Sequence, residues 1–378
     1  MSGKNEELGL KTRIFSKKNP LIIAEIGTGH NGDIGKAKAL IDAAFEAGAS
    51  AVKFQIVYAE EILHPATGSV DLPTGKIELY KRFKELEVQA EFYKELSVYA
   101  KNKNLLFSAT PFGLRSCREL IALEPDFIKI ASPELNYMQL LKYAAGFNLP
   151  LILSTGVSLL CDIEKALLTV REAAPDLPLA VLHCVTAYPA PESDYNLSLI
   201  KNLAALFNVP AGLSDHSMDP VLVPLLSLSQ GAFIIEKHIC LSRKENGLDD
   251  PVALEPAMFK QMCAAVKKCS AYTSGEIIDY LYRLGYREEK IRAVIGSGEK
   301  KLGEAEKENY GKTNRSLHYV KALKKGSVIT RADIAVLRTE KNLMPGEEPE
   351  KANFFVGAVL QKDVSAGSGV LTEDFIQR

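Results

Sequence analysis

The chain has 378 residues, 47% of them hydrophobic and 25% charged, with a formal net charge of −1. That length suits one large domain plus a small one. The balanced charge and the lack of any apolar run near the roughly 18–20 residues of a membrane span argue against nucleic acid and membrane as partners.

Residues 1–19 read as a polar extension without the apolar core of a secretory leader. From residue 20 to about 275, β-rich runs alternate with helical patterns. The strand candidates are 21–27, 51–55, 105–112, 127–132, 151–156, 179–189, 211–216 and 233–239. Their nearly unbroken apolar character predicts strands buried on both faces of a parallel sheet. Helices are expected near 34–47, 90–103, 114–123, 137–147, 159–173, 196–207, 219–230 and 256–272. In the first, Asp33 is placed to cap the start, Ala37, Leu40, Ile41, Ala44 and Phe45 recur at helical spacing, and Gly48 ends it. Eight such units predict an α/β fold, a (β/α)8 TIM barrel over 20–275, with an open doubly wound sheet as the alternative. Residues 276–311 are charged and read as a partly helical linker. Residues 312–378 read as a small β-rich domain built from two versions of one plan, too short to be independently stable and therefore expected to dock. The six cysteines contain no C-x-x-C pair and read as reduced, mostly buried thiols of a cytoplasmic protein.

In a barrel the strand tips share one site. Here the tips carry Glu25; Lys53 and Gln55; Ser108, Thr110 and Phe112; Lys129, Ser132 and Glu134; Ser154 and Thr155; Thr186 and Tyr188; Ser214, Asp215 and His216; and Glu236, Lys237 and His238. A hydrophobic core needs none of these, and buried charges are costly unless paired or used. Lys53 and Lys129, with the hydroxyls of Thr110, Ser132 and Ser154, suit a polyanion such as a phosphate with a carboxylate. A Schiff-base lysine stays open as an alternative. His216 and His238, on neighbouring strands, could converge on one divalent ion with positions left for water and substrate. Asp215 and Glu236 read as lysine partners or groups behind the ligands, and His183 as a satisfied core histidine.

The runs AEIGTGHNGDIGKAKALIDAAFEAGASAVKFQ, FSATPF, FIKIASPEL, LILSTG, HCVTAYPAP, NLSLIKNL, GLSDHSMD and IIEKHI resemble the sialic acid synthase family nearly end to end through the barrel. NRSLHYVKALKKGSVIT resembles that family's C-terminal antifreeze-like (SAF) domain. The resemblance implies condensation of phosphoenolpyruvate with an N-acylated mannosamine-type sugar and water, giving a nine-carbon 2-keto-3-deoxy acid and phosphate. It implies a divalent ion on His216 and His238, typically manganese, with magnesium or cobalt as alternatives. It also implies a homodimer in which each antifreeze-like domain caps the partner's barrel. Carried over, Lys53, Thr110, Lys129, Ser132, Ser154 and Ser214 would hold phosphoenolpyruvate. Gln55, Tyr188, Asp249 and the partner cap's Arg315 would meet the sugar, with Phe112 and Thr186 as further substrate contacts. Glu134 would manage the proton of the adding water, and Glu25 would sit near the sugar's reacting end.

Three departures lie on the sugar side: Gly29 before His30, Gly247-Leu248-Asp249 after the eighth strand, and a single arginine in Asn314-Arg315-Ser316. They suggest a retained donor and an acceptor other than N-acetylmannosamine. Rival readings are a lysine aldolase or another phosphoenolpyruvate-using keto-deoxy sugar synthase, and a non-catalytic carbohydrate-binding protein.

Overall fold

Eight strands close into a ring: β1 (Leu21–Gly27), β2 (Ala51–Ile56), β3 (Leu106–Pro111), β4 (Ile128–Ile130), β5 (Leu151–Ser154), β6 (Leu179–Cys184), β7 (Ala211–Asp215) and β8 (Ile234–His238). The computed structural model describes residues 6–72, 75–245, 247–340 and 342–376, so the ends of the extension and of the cap lie outside the described residues. Each strand pairs in parallel with its sequence neighbour except β3 with β4, and β8 pairs with β1. The seam between β3 and β4 is closed by the Asp126 N–H on the Phe107 carbonyl at 2.9 Å and the Ser108 hydroxyl on the Phe127 carbonyl at 2.6 Å. Gly27-Thr28-Gly29-His30-Asn31-Gly32 has the G-x-G-x-x-G spacing of a dinucleotide turn. The closed ring, not that spacing, therefore excludes the open-sheet alternative.

The barrel's own chemistry explains its regularity. The strands are buried on both faces because helices cover the outside and side chains fill the inside. Helix Ile34–Ala47 starts where the Asp33 carboxylate accepts the Lys36 N–H and stops at Gly48, whose φ of 89° suits glycine. On β7, a side chain at Gly212 would lie 2.4 Å from the Ile234 carbonyl oxygen, so β7 and β8 can approach as they do only with glycine there.

Two segments go beyond the expectations, and a third agrees with them. The polar N-terminal stretch folds as a hairpin, Glu7–Leu10 with Arg13–Ser16, whose Leu8, Leu10 and Phe15 plug the barrel floor against Leu21, Phe127 and Phe233. Residues 57–89, to which the sequence reading assigned no element, contain the hairpin Ser69–Leu72 with Gly75–Glu78 and helix Leu79–Glu85. The charged stretch after the barrel, expected to be partly helical, forms helices Ser274–Arg283 and Glu288–Ile295, which bury Ile277, Leu281, Ile291 and Val294. No described helix is long and apolar enough to cross a membrane.

The cap pairs Arg315–Tyr319 with Ile334–Arg338 in antiparallel register. Its internal repetition is visible in two short 3-10 turns. Asp333 accepts the Thr330 N–H at 2.8 Å, and Asp374 accepts the Leu371 N–H at 2.8 Å. The cap sits on its own barrel. Asn342 Nδ2 donates to the carbonyls of Thr67 and Ser69 at 2.7 Å, and His64 Nε2 meets the Val320 carbonyl at 3.0 Å. Between barrel and cap, residues 296–314 strap the barrel top. Glu306 Oε1 accepts the N–H groups of Val157 and Thr186, both at 2.8 Å.

Candidate active site

Side chains alternate across a strand, so every second residue faces the ring's interior. Lys53 and Gln55 of β2, Ser214 and then His216 at the end of β7, and Glu236 and His238 of β8 line one cavity of about 390 Å³. The intervening Asp215 and Lys237 do not line it; they pair with each other at 2.7 Å, both buried. Lys237, expected among the tip cations, is thus no part of the site. His183 also lies outside the lining, and its Nε2 meets the Tyr195 carbonyl.

Of the expected site residues, Glu25, Lys53, Gln55, Thr110, Phe112, Lys129, Ser132, Ser154, Thr186, Tyr188, Ser214, His216, His238 and Asp249 line this cavity. At its floor Lys53 Nζ lies 2.5 Å from Glu25 Oε2 and donates to Thr110 Oγ1 at 2.9 Å. Lys129 Nζ donates to Ser154 Oγ at 2.7 Å. Glu236 stands between the two ammonium groups, 3.9 Å from Lys53 and 3.6 Å from Lys129. Burial opposes its ionisation, but Lys129, Lys53 and His238 together hold it down to about 2. Glu25 differs: burial outweighs the pull of Lys53 and pushes it up to about 7. Burial also lowers Lys129, while for Lys53 the carboxylates of Glu236 and Glu25 overcome burial and raise it.

The rings of His216 and His238 lie 5.5 Å apart between centroids. Metal–nitrogen distances near 2.0–2.1 Å allow two imidazoles at this separation to reach one ion. His216 Nδ1 engages the Val185 carbonyl at 2.8 Å, which leaves Nε2 for a ligand. Asp249 Oδ2 is 3.8 Å from His238 Nδ1, and Tyr188 stacks on His216 at 4.2 Å. Glu236 Oε2 is buried without a hydrogen-bond partner. No cluster of three or more His, Cys, Asp or Glu ligands forms among the described residues. The protein would therefore supply two imidazoles and leave the other positions to water and substrate oxygens.

Two expected residues do not line the cavity. Glu134 is fully buried behind Ser132 and Pro133. Its Oε1 accepts from Arg315 Nε at 3.0 Å and from Arg338 Nε and Nη2 at 2.9 and 2.8 Å. Arg315 is likewise buried, with Nη2 on the Phe112 carbonyl at 2.7 Å and Nη1 on the Glu61 carbonyl. It reaches Glu134 of its own chain, where a partner's cap was expected, and it anchors the cap without facing the cavity. Arg338, opposite Arg315 in the cap's strand register, is the arginine that lines the site. The sequence did not single it out, nor Leu79, Phe83, Asn309 and Thr313, which also line the cavity. Leu79 and Phe83 at i,i+4 were the one available signal.

A NeuB family model matches residues 40–277, and a SAF domain model matches residues 314–376. The spore coat polysaccharide biosynthesis protein SpsE of Bacillus subtilis is 34% identical over 98% of this chain and 96% of its own. Its crystal structure superposes with a TM-score of 0.81, covering 98% of this chain and 99% of that one at 31% identity. An N,N'-diacetyllegionaminic acid synthase of Legionella pneumophila is 32% identical over 98% of this chain and 99% of its own. The N-acetylneuraminate-9-phosphate synthase of Drosophila melanogaster is 32% identical over 86% of this chain and 89% of its own. A barrel with a SAF cap, matched across its whole length in this way, belongs to the NeuB family.

Proposed function

We propose that the protein condenses phosphoenolpyruvate with an N-acylated amino sugar and water, forming a nine-carbon 2-keto-3-deoxy acid and phosphate. One observation carries this reading: two buried lysines and the hydroxyls of Thr110, Ser132, Ser154 and Ser214 form the floor of the cavity that His216 and His238 also face. Synthases of legionaminic and neuraminic acids among the relatives support the same class.

In the reaction, C3 of phosphoenolpyruvate bonds to the sugar's aldehyde carbon. Water adds at C2, and the C2–O bond breaks as phosphate leaves. Lys53 and Lys129 hold the donor's phosphate and carboxylate, with the four hydroxyls fixing their orientation. Glu25, poised near neutrality, gives or takes a proton at the reacting end. Gln55, Tyr188 and Asp249 orient the sugar. Glu134, which was expected to handle the water's proton, instead holds two cap arginines behind the wall. A divalent ion on His216 and His238, manganese as first candidate, would polarise the aldehyde oxygen.

A phosphate-release assay with phosphoenolpyruvate, N-acylated amino sugars and manganese tests the reading. Release that a chelator abolishes is expected; no release with any sugar, or release indifferent to chelation, contradicts it. Burial's lowering of Lys129 favours one rival, a Schiff-base aldolase. Borohydride trapping of substrate on that lysine would establish the rival. A homodimer that exchanges caps would form the same cap–barrel contacts in trans. Mixing inactive His216→Ala and Arg315→Met chains would then restore activity; mixtures as inactive as their parts would argue for the cap on its own barrel.

A further inference from the structure

Resting on the reading just given, we infer that the cavity's upper wall is a subsite for a second acylamido group on the acceptor, with Arg338 as its specificity-determining residue. The floor is ionic, but the wall formed by Leu79, Phe83 and Phe112 is apolar. Leu79 and Phe83 come from the helix inserted after β2, which packs into a small apolar cluster around Phe112. Over the Phe112 ring, at 5.3 Å, lies the guanidinium of Arg338. Its Nε and Nη2 are committed to Glu134 Oε1. Nη1 has no hydrogen-bond partner among the described residues, and the side chain is 13% exposed.

A fixed Nη1 with its N–H donors beside an apolar wall suits a particular group. An acetamido substituent has a carbonyl that needs a donor and a methyl that needs apolar surface. A hydroxyl would gain nothing from Leu79 or Phe83. A phosphate would meet a single guanidinium already neutralised by Glu134, and would lose water against three apolar side chains. The lysine pair holds the donor, so this wall faces the end of the acceptor remote from the new bond.

The test compares kcat/KM of the full-length protein for three acceptors: a 2,4-diacetamido-2,4,6-trideoxyhexose, N-acetylmannosamine and N-acetylmannosamine 6-phosphate. The diacetamido sugar is expected to be preferred over both by at least about tenfold, as a charge-assisted hydrogen bond allows. Arg338→Lys, which keeps the charge and loses the planar fork, should reduce that preference by about tenfold. Phe83→Ser, remote from the Glu134 cluster, should reduce it as well while leaving the KM for phosphoenolpyruvate near its original value. Equal use of the first two sugars, preference for the phosphate, or a selectivity that survives both substitutions overturns the subsite and leaves the condensation standing. Absence of phosphate release with all three overturns the condensation itself.

Discussion

Lys53 and Lys129 are each about 2% exposed, a placement that costs several kcal/mol for an unpaired charge. Glu25 and Glu236 offset that cost at 2.5 and 3.6 Å, and both carboxylates carry further hydrogen bonds from Gln55 and Ser214. A pair of cations held this firmly is ready for an anion before one arrives. Lys53→Met should lower kcat/KM for phosphoenolpyruvate by roughly 10- to 100-fold, the loss of one charge-assisted contact; steady-state kinetics with unchanged donor dependence would refute its role. Two other histidines make the fold acid-sensitive. Burial lowers His30 from 6.5 to about 4, and burial with Lys300 lowers His183 equally. Between those values the unfolded chain binds protons that the folded protein refuses. Stability therefore falls as pH drops through this window, by up to about 3 kcal/mol per histidine. Urea melts at about pH 7 and about pH 4.5 should show it, and equal midpoints would contradict it.

Among the elements, the strap over residues 296–314 governs two site loops at once. Glu306 Oε1 satisfies the amides of Val157 and Thr186, which follow β5 and β6. Val157 holds a φ of 39°, unusual for a β-branched residue, so the loop depends on outside support. Glu306→Ala should cost about 1–3 kcal/mol and raise amide exchange at both positions; exchange unchanged at Val157 and Thr186 would show that the strap merely passes by. The eight strands were legible because each is an apolar run buried on both faces. Helix Leu79–Glu85 was not: its Leu79 and Phe83 face a small satellite cluster, and Lys81, Arg82 and Lys84 between and beside them leave only two apolar positions to mark a face. Alternation on β7 and β8 was present in Ser214-Asp215-His216 and Glu236-Lys237-His238. It would have separated the inward Ser214, His216, Glu236 and His238 from the Asp215–Lys237 pair behind them.

For the molecule as a whole, the cap completes a barrel that is otherwise open at its top. Its seat combines Arg315 on Glu134, Lys165 with Glu348 at 3.1 Å, and Asn136 Nδ2 on the Arg315 carbonyl at 2.8 Å. Arg315→Met leaves Glu134 still paired with Arg338 but strips one guanidinium from it and the donors from the Phe112 and Glu61 carbonyls, so it should cost about 1–3 kcal/mol. Limited proteolysis should then cut the strap before the barrel; a variant as resistant as the parent would show that the anchor lies elsewhere. No residue pattern could tell which of two arginines faces the cavity. Arg315 and Arg338 are cross-strand neighbours, and only the docked cap decides that the first is an anchor and the second a wall residue. The remaining tips were readable because a TIM barrel sends its strand ends to one place.

The central claim is that one cavity holds a cation on two imidazoles beside an anion on two lysines. Anomalous scattering from a crystal grown with manganese and phosphoenolpyruvate tests it most directly. One manganese peak within bonding distance of both His216 and His238 is expected, with the donor's phosphate against Lys53 and Lys129. Manganese bound away from either histidine, or a donor lodged at the opposite end of the barrel, would contradict it.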